Sequence, residues 1–323
     1  MKKRMIVVWF SVLVVLAAPC LLCAEAAFPA KPIQIWIGYP PGGGIDLLTR
    51  VLAEDAKKYL GQEVVVVNKP GAAGTVAAIQ VTTAKPDGYI LGCSPSNVFT
   101  ITPFLQDVQV DLLKESTLIL SIAKFNVAYF VKANSPFKTL KDFLEYARRN
   151  SGANFGTPGT GSKASLAIAA IADREHVKIN LIPFPGDIPA VTAVLGGHVM
   201  AAGCSPGGWV PQVDAGALRL IAAVEEERIE GYPDCPTVVE MGFPYPMPIL
   251  VFIHGPKGVP EPIVRKLQEA FEKASTSATF KNVAIKNVMY SNKHISGKEL
   301  EAFLASEKTK SGEIVQKLGF SKK

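Results

Sequence analysis

The feature that most constrains this chain is a unit that occurs twice: a short apolar strand, a Pro/Gly loop, then an amphipathic or apolar helix. In the first copy, Ile33-Gln-Ile-Trp-Ile37 alternates like a strand and runs into Tyr39-Pro-Pro-Gly-Gly-Gly-Ile-Asp46. A helical pattern follows, with Ile45, Leu48, Val51, Leu52 and Leu60 largely on one face and Gly61 at its end. In the second, Asn154-Phe155-Gly156 leads into Thr157-Pro-Gly-Thr-Gly-Ser162 and an apolar helix around Leu166–Ala172. Each copy places backbone N–H groups and a helix N-terminus at the end of a strand, where α/β proteins bind ligands. Neither loop contains Lys or Arg, so an anion there would be held by backbone dipoles and hydroxyls. Two such loops, one in each half, predict a cleft between two similar lobes; the alternative is that the glycines only make tight turns.

The rest of the chain keeps the same alternation. Val64–Asn68 is a β-branched run of the kind buried in a parallel sheet. Ala72–Ala84 reads as a small-residue helix, and Pro86-Asp-Gly88 turns into a strand at Tyr89–Cys93. Thr139 with Asp142 three residues later forms a capping-box pattern for a helix to Arg149. Strands are expected near 178–183, 198–204 and 218–224, which together argue for α/β layers. With 323 residues, 48% apolar and 19% charged, the chain can bury cores of roughly two domains. Most of the net charge of +6 lies in the C-terminal helical region. It reads as a solvated face, and nucleic-acid binding is not expected.

The first 26 residues predict export. Met1-Lys2-Lys3-Arg4 is followed by an uncharged apolar stretch to Ala24, and Ala24-Glu25-Ala26 is a small-x-small cleavage site. This is a signal peptide over 1–26 with a mature start at Ala27, against the alternative of an uncleaved anchor. Lipid attachment is disfavoured because neither Cys20 nor Cys23 has the small residues that usually precede a lipidated cysteine. Removing the segment leaves Cys93, Cys204 and Cys235, read as small buried hydrophobes. The histidines His176, His198, His254 and His294 show no metal spacing, so neither metal nor cofactor is expected.

Nucleotide motifs do not fit either loop. Gly203-Cys-Ser-Pro-Gly207 matches the nucleophile elbow of serine hydrolases and follows a predicted strand. Asp214 or Asp234 and His254 or His294 would supply the remaining triad order. Pro206 argues against it, because the residue after the serine should donate an N–H to the oxyanion and proline has none.

Phe28-Pro-x-Lys-Pro-Ile33, Tyr39–Asp46, Val67-Asn-Lys-Pro-Gly-Ala-Ala-Gly74 and Lys85-Pro-Asp-Gly-Tyr89 together resemble the receptors of tripartite tricarboxylate transporters. The match continues through Gly156–Ser162, Leu195-Gly-Gly197, Tyr232-Pro-Asp-Cys-Pro-Thr237 and Gly255-Pro-Lys-Gly-Val-Pro260. The resemblance implies a type II-like periplasmic binding protein, a Venus-flytrap of two α/β lobes, each a mixed sheet flanked by helices. It implies lobes of 27–125 plus 248–323 and of 126–247, crossing near Leu118–Val131 and Ile249–Gly255. It implies a monomer without catalytic chemistry that closes over a small organic carboxylate and delivers it to two membrane permease subunits. Signalling to a sensor is the other use such a receptor could serve.

The family's ligand-holding segments map onto Tyr39, Pro41, Gly42, Gly43, Gly44 and Asp46 in the first lobe, and onto Thr157, Gly159, Thr160, Gly161 and Ser162 in the second. Ser94 and Asn97 after Cys93, Gly186 with Asp187, and Ser205 would line the same cleft. Ser165, Ala169 and Met200 stand where relatives commonly carry His, Glu and an acid, and Tyr39 where Phe is frequent. A ligand therefore cannot be copied from a relative. Lys163, just past the second loop, is expected to matter little to the anion.

Overall fold

The computed structural model describes residues 28–159, 161–291 and 293–319, so the expected signal peptide lies outside the described residues. Strands β1 (Ile33–Ile37), β2 (Val64–Asn68) and β3 (Ile90–Pro95) are the predicted apolar runs, and they pair in parallel. They join β4 (Ser116–Phe125) and the antiparallel β10 (Ile249–Pro256) in a sheet of order β2-β1-β3-β10-β4. The second sheet holds β5 (Ala128–Lys132), β6 (Ala153–Thr157), β7 (Ile179–Pro183), β8 (Ala201–Cys204) and β9 (Leu218–Ala223), in the order β7-β6-β8-β5-β9. The two orders are the same pattern: three parallel strands, then an antiparallel one supplied from elsewhere in the chain, then an edge. Only Asn126 and Val127 separate β4 from β5, so the chain passes from one sheet to the other in a single step.

Helices cover both faces of each sheet, as buried strands require. On the first, α1 (Gly44–Leu60), α9 (Glu261–Ser275) and α10 (Ala278–Lys286) pack Leu48, Leu52, Leu267 and Phe271 against Ile33, Ile35, Ile37 and Ile253. The other face carries α2 (Thr75–Thr82), α3 (Asn97–Thr100) and α4 (Thr102–Leu105). On the second sheet, α5 (Leu140–Arg149) and α6 (Lys163–Arg174) pack Phe143, Leu166 and Ile171 against Tyr129 and Phe155. Helices α7 (Asp187–Leu195) and α8 (Pro206–Asp214) take the opposite face with Val191, Trp209 and Phe130. The long α11 (Gly297–Lys317) belongs to neither alone. Leu300 and Leu304 sit in the first sheet's core, while Val315 sits in the second's.

Two local expectations are refined. The helix expected over 72–84 begins as a 3₁₀ turn, Ala72–Gly74, with Ala72 and Ala73 at positive φ, before α2. The reason is close approach: a Cβ on Gly38, just past β1, would overlap the Gly74 backbone. The strand expected over 198–204 shortens to Ala201–Cys204, because Gly196 and Gly197 close α7 late. The three cysteines are buried and free, and burial pushes the Cys93 thiol up to about 12. Among the described residues no helix is long and apolar enough to cross a membrane, and no cluster of three metal-ligating side chains occurs.

Candidate functional site

Because β1, β2 and β3 are parallel, their C-terminal ends share one edge, and the starts of α1, α2 and α3 gather there. The same holds for β6, β7 and β8, with α6, α7 and α8. The edges face each other: a Cβ built on Gly161, in the second sheet's first loop, would overlap Leu105 Cδ1 of α4. Six helix N-termini thus lie at these two edges, each with N–H groups that have no intrahelical partner.

In the first loop Gly42 is left-handed at φ 87°, and Gly43 caps α1 with an ordinary extended backbone. A Cβ on Gly43 would meet only the Pro40 carbonyl, at 3.9 Å, and the residue is exposed. Gly44 serves packing, since a Cβ there would overlap the Met289 methyl. Pro41 is exposed. Tyr39 is half-buried, donates to the Ala73 carbonyl at 3.0 Å, and has its phenol pushed up by burial.

Asp46 belongs to the loop's own frame. Its carboxylate accepts from Gly42 N at 2.9 Å, Asn68 Nδ2 at 2.9 Å and Arg50 Nε at 3.0 Å, while Asn68 also donates to the Tyr39 carbonyl. Burial opposes its charge, but bonds from Arg50, Gly42 and Asn68 outweigh it and hold the carboxyl at about 2. These bonds tie the Asp46 carboxylate to the loop, to β2 and to α1. The Gly42 N–H is thereby bonded within its own loop.

The second loop is built the same way with hydroxyls in place of the acid. Thr157 is buried and donates to the Gly159 carbonyl at 3.1 Å; Gly159 and Gly161 are left-handed. A Cβ on Gly159 meets nothing within 4 Å. Ser162 caps α6, its Oγ accepting from Ser165 N at 3.2 Å. Thr160 lies outside the described residues. Lys163 turns its ammonium away from the loop, onto the Pro248 carbonyl and Glu307 Oε2 of α11. Both side chains are buried, so Lys163 is a structural cross-link.

Ser94 is also taken up within the fold: its buried Oγ bonds His254 Nε2 at 3.0 Å, behind the edge. Burial lowers the His254 imidazole to about 3, so it stands neutral. Asn97 opens α3 and is half-buried. Gly186, left-handed, caps α7, and Asp187 follows with Oδ2 accepting from Ser205 Oγ at 2.5 Å. Ser205 caps α8 with Pro206 as the first helical residue. The hydrolase reading meets its difficulty here. Ser205 is bonded to an acid, while His254 and His294 are bonded to Ser94 and Ser121 on the first sheet.

Sequence reasoning passed over the partner-poor hydroxyls of Thr75 and Ser96, both buried at the first edge without a hydrogen-bond partner. Their position directly after a predicted strand or turn was the only available signal. It equally missed Leu105, whose approach to Gly161 depends on contact across the cleft.

The profile of the tripartite tricarboxylate transporter family receptor matches residues 48–320. The chain belongs to this receptor family. A UPF0065 protein from the gbd 5' region of Cupriavidus necator is 34% identical over 296 residues, covering 91% of this chain and 90% of its own length. A solved solute-binding protein of the family from Polaromonas is 30% identical with a TM-score of 0.79, the alignment covering 90% of this chain and 99% of that one. The fold is also shared with two Rhodopseudomonas palustris proteins, one solved with malate (24% identity, TM-score 0.74) and one with adipate (21%, 0.78). This receptor is therefore a two-lobe solute-binding protein of a periplasmic family.

Proposed function

We propose that this receptor captures a small organic carboxylate between its lobes, 27–125 plus 248–323 and 126–247, and hands it to a membrane permease of two subunits. The feature that supports the reading is the pair of glycine loops, one at the strand-end edge of each sheet. Gly43 and Gly44 at the start of α1 and Gly159, Gly161 and Ser162 before α6 offer N–H groups at the two strand-end edges, and the neighbouring cations, Arg50 and Lys163, are held by Asp46 and Glu307. Partial positive charge from two helix N-termini suits one carboxylate, and each charge-assisted bond contributes about 1.5–3 kcal/mol. A few such bonds reach micromolar affinity after the costs of association. The malate- and adipate-bound relatives support the ligand class, and the signal-like N-terminus supports the periplasm.

A thermal-shift screen of mono-, di- and tricarboxylates tests binding: at least one should raise the melting temperature in a concentration-dependent way, and none doing so would sink the reading. Uptake of the labelled ligand in cells with and without the receptor tests delivery. Unchanged uptake would leave binding without transport.

A further inference from the structure

The second sheet's cleft edge holds an acid that the anion site above does not use. Asp187 is the first residue of α7, half-buried, and it sits against the beginning of α8. The hydroxyl of Ser205, the cap of α8, donates to its carboxylate. The Cys204 thiol lies 3.7 Å from its carbonyl oxygen. Gly208 in the first turn of α8 leaves room for it, since a Cβ there would stand 2.8 Å from Asp187 Cβ.

The contrast with Asp46 is informative. Asp46 is neutralised by Arg50, whereas the Asp187 carboxylate is held by the neutral Ser205 hydroxyl. The protein's own carboxylate thus sits where a bound anion would sit, on the N-terminus of α8. The neighbouring Gly186 has open space beside it: a Cβ there would meet nothing within 4 Å. A ligand anchored by one carboxylate on Gly159, Gly161 and Ser162 before α6 would present its far end to this acid, whose carboxyl burial pushes up and the Ser205 hydroxyl holds down.

We propose that Asp187 is a specificity-determining residue: as a built-in anion on α8 it selects monocarboxylates carrying a hydroxyl or ammonium donor and rejects dicarboxylates of the same length. The inference rests on the receptor reading above. A donor on the ligand gains an acceptor in a partly desolvated wall, while a second carboxylate meets a like charge with no cation to offset it. Such a juxtaposition is worth at least tenfold in affinity in either direction.

The test is calorimetry on length-matched sets: butyrate, 4-hydroxybutyrate, 4-aminobutyrate and succinate, and the same four functional types built on hexanoate. In the wild type the hydroxy or amino acid should bind at least tenfold more tightly than the diacid of its length, and the two arms say which donor is used. Asp187→Asn keeps the shape and an acceptor for Ser205, and Asp187→Ser removes the bulk. Both should tighten the diacid at least tenfold while leaving the unsubstituted acid within about threefold. A merely structural role would weaken all ligands together, and that result overturns the proposal. So does a wild type that prefers the diacid. If no carboxylate of either set or of the wider screen binds, the receptor reading itself falls; if carboxylates bind and the ratio ignores Asp187, only this proposal does.

Discussion

Glycines at the cleft divide by what a Cβ would meet. Gly43 has ordinary dihedrals and open space, so Gly43→Val should fold with a melting temperature within about 2 °C of wild type, as surface changes generally do. In the proposed site the same side chain stands between the ligand and the backbone N–H groups, and affinity should drop at least tenfold by calorimetry. Unchanged affinity would remove the first loop from the anion site. His254 makes a different residue-scale prediction. Its ring is neutral in the fold at about 3 and near 6.5 when unfolded, so the unfolded state takes up the extra proton. Its stabilising contribution is complete above pH 6.5 and declines as pH falls toward 3, by up to about 1.4 kcal/mol per unit. Urea midpoints at pH 7 and pH 5 should show this loss, and His254→Gln should flatten it. Equal slopes would show that other groups govern acid stability.

At the scale of elements, the sequence was most legible where interactions are local. The Thr139–Asp142 capping box is present, with the Asp142 carboxyl lowered chiefly by backbone bonds from Lys138 and Thr139. Thr139→Ala should cost about 1 kcal/mol, read from urea unfolding, and no change would mean that tertiary packing alone fixes the start of α5. The link between α6 and α11 was not legible, because Lys163 and Glu307 are 144 residues apart. Burial lowers the Lys163 ammonium and Glu307 opposes that shift. Removing one partner strands a buried charge, so Lys163→Met or Glu307→Leu should each cost about 3–5 kcal/mol, and the double variant much less than the sum. Additive costs would show that the pair is not coupled. Lys163 is accordingly a poor control for ligand binding, since its loss perturbs the helix that carries the second loop.

For the whole molecule, a ligand held from both edges adds a link between two sheets already joined by the chain crossings, by α11 and by Ile101, Phe104 and Leu105 packed on the second sheet's core. Ligand at a hundred times its Kd should stabilise the protein by about 2.7 kcal/mol against urea, and small-angle scattering should show a smaller radius of gyration. Stabilisation without compaction would place the ligand on one lobe alone. The sequence by itself determined the α/β alternation, both glycine loops and the capping box. Each of these is written in spacing and turn chemistry within a dozen residues. It also carried enough ordered motifs to indicate the receptor family. Only the tertiary structure decided which polar groups remain for a ligand. Asp46 is consumed by Arg50, Asn68 and Gly42; Ser94 by His254; Lys163 by Glu307; and Asp187, at the start of α7, accepts from Ser205 at the start of α8. A side chain's availability depends on whichever distant residue satisfies it first, and burial makes that satisfaction compulsory.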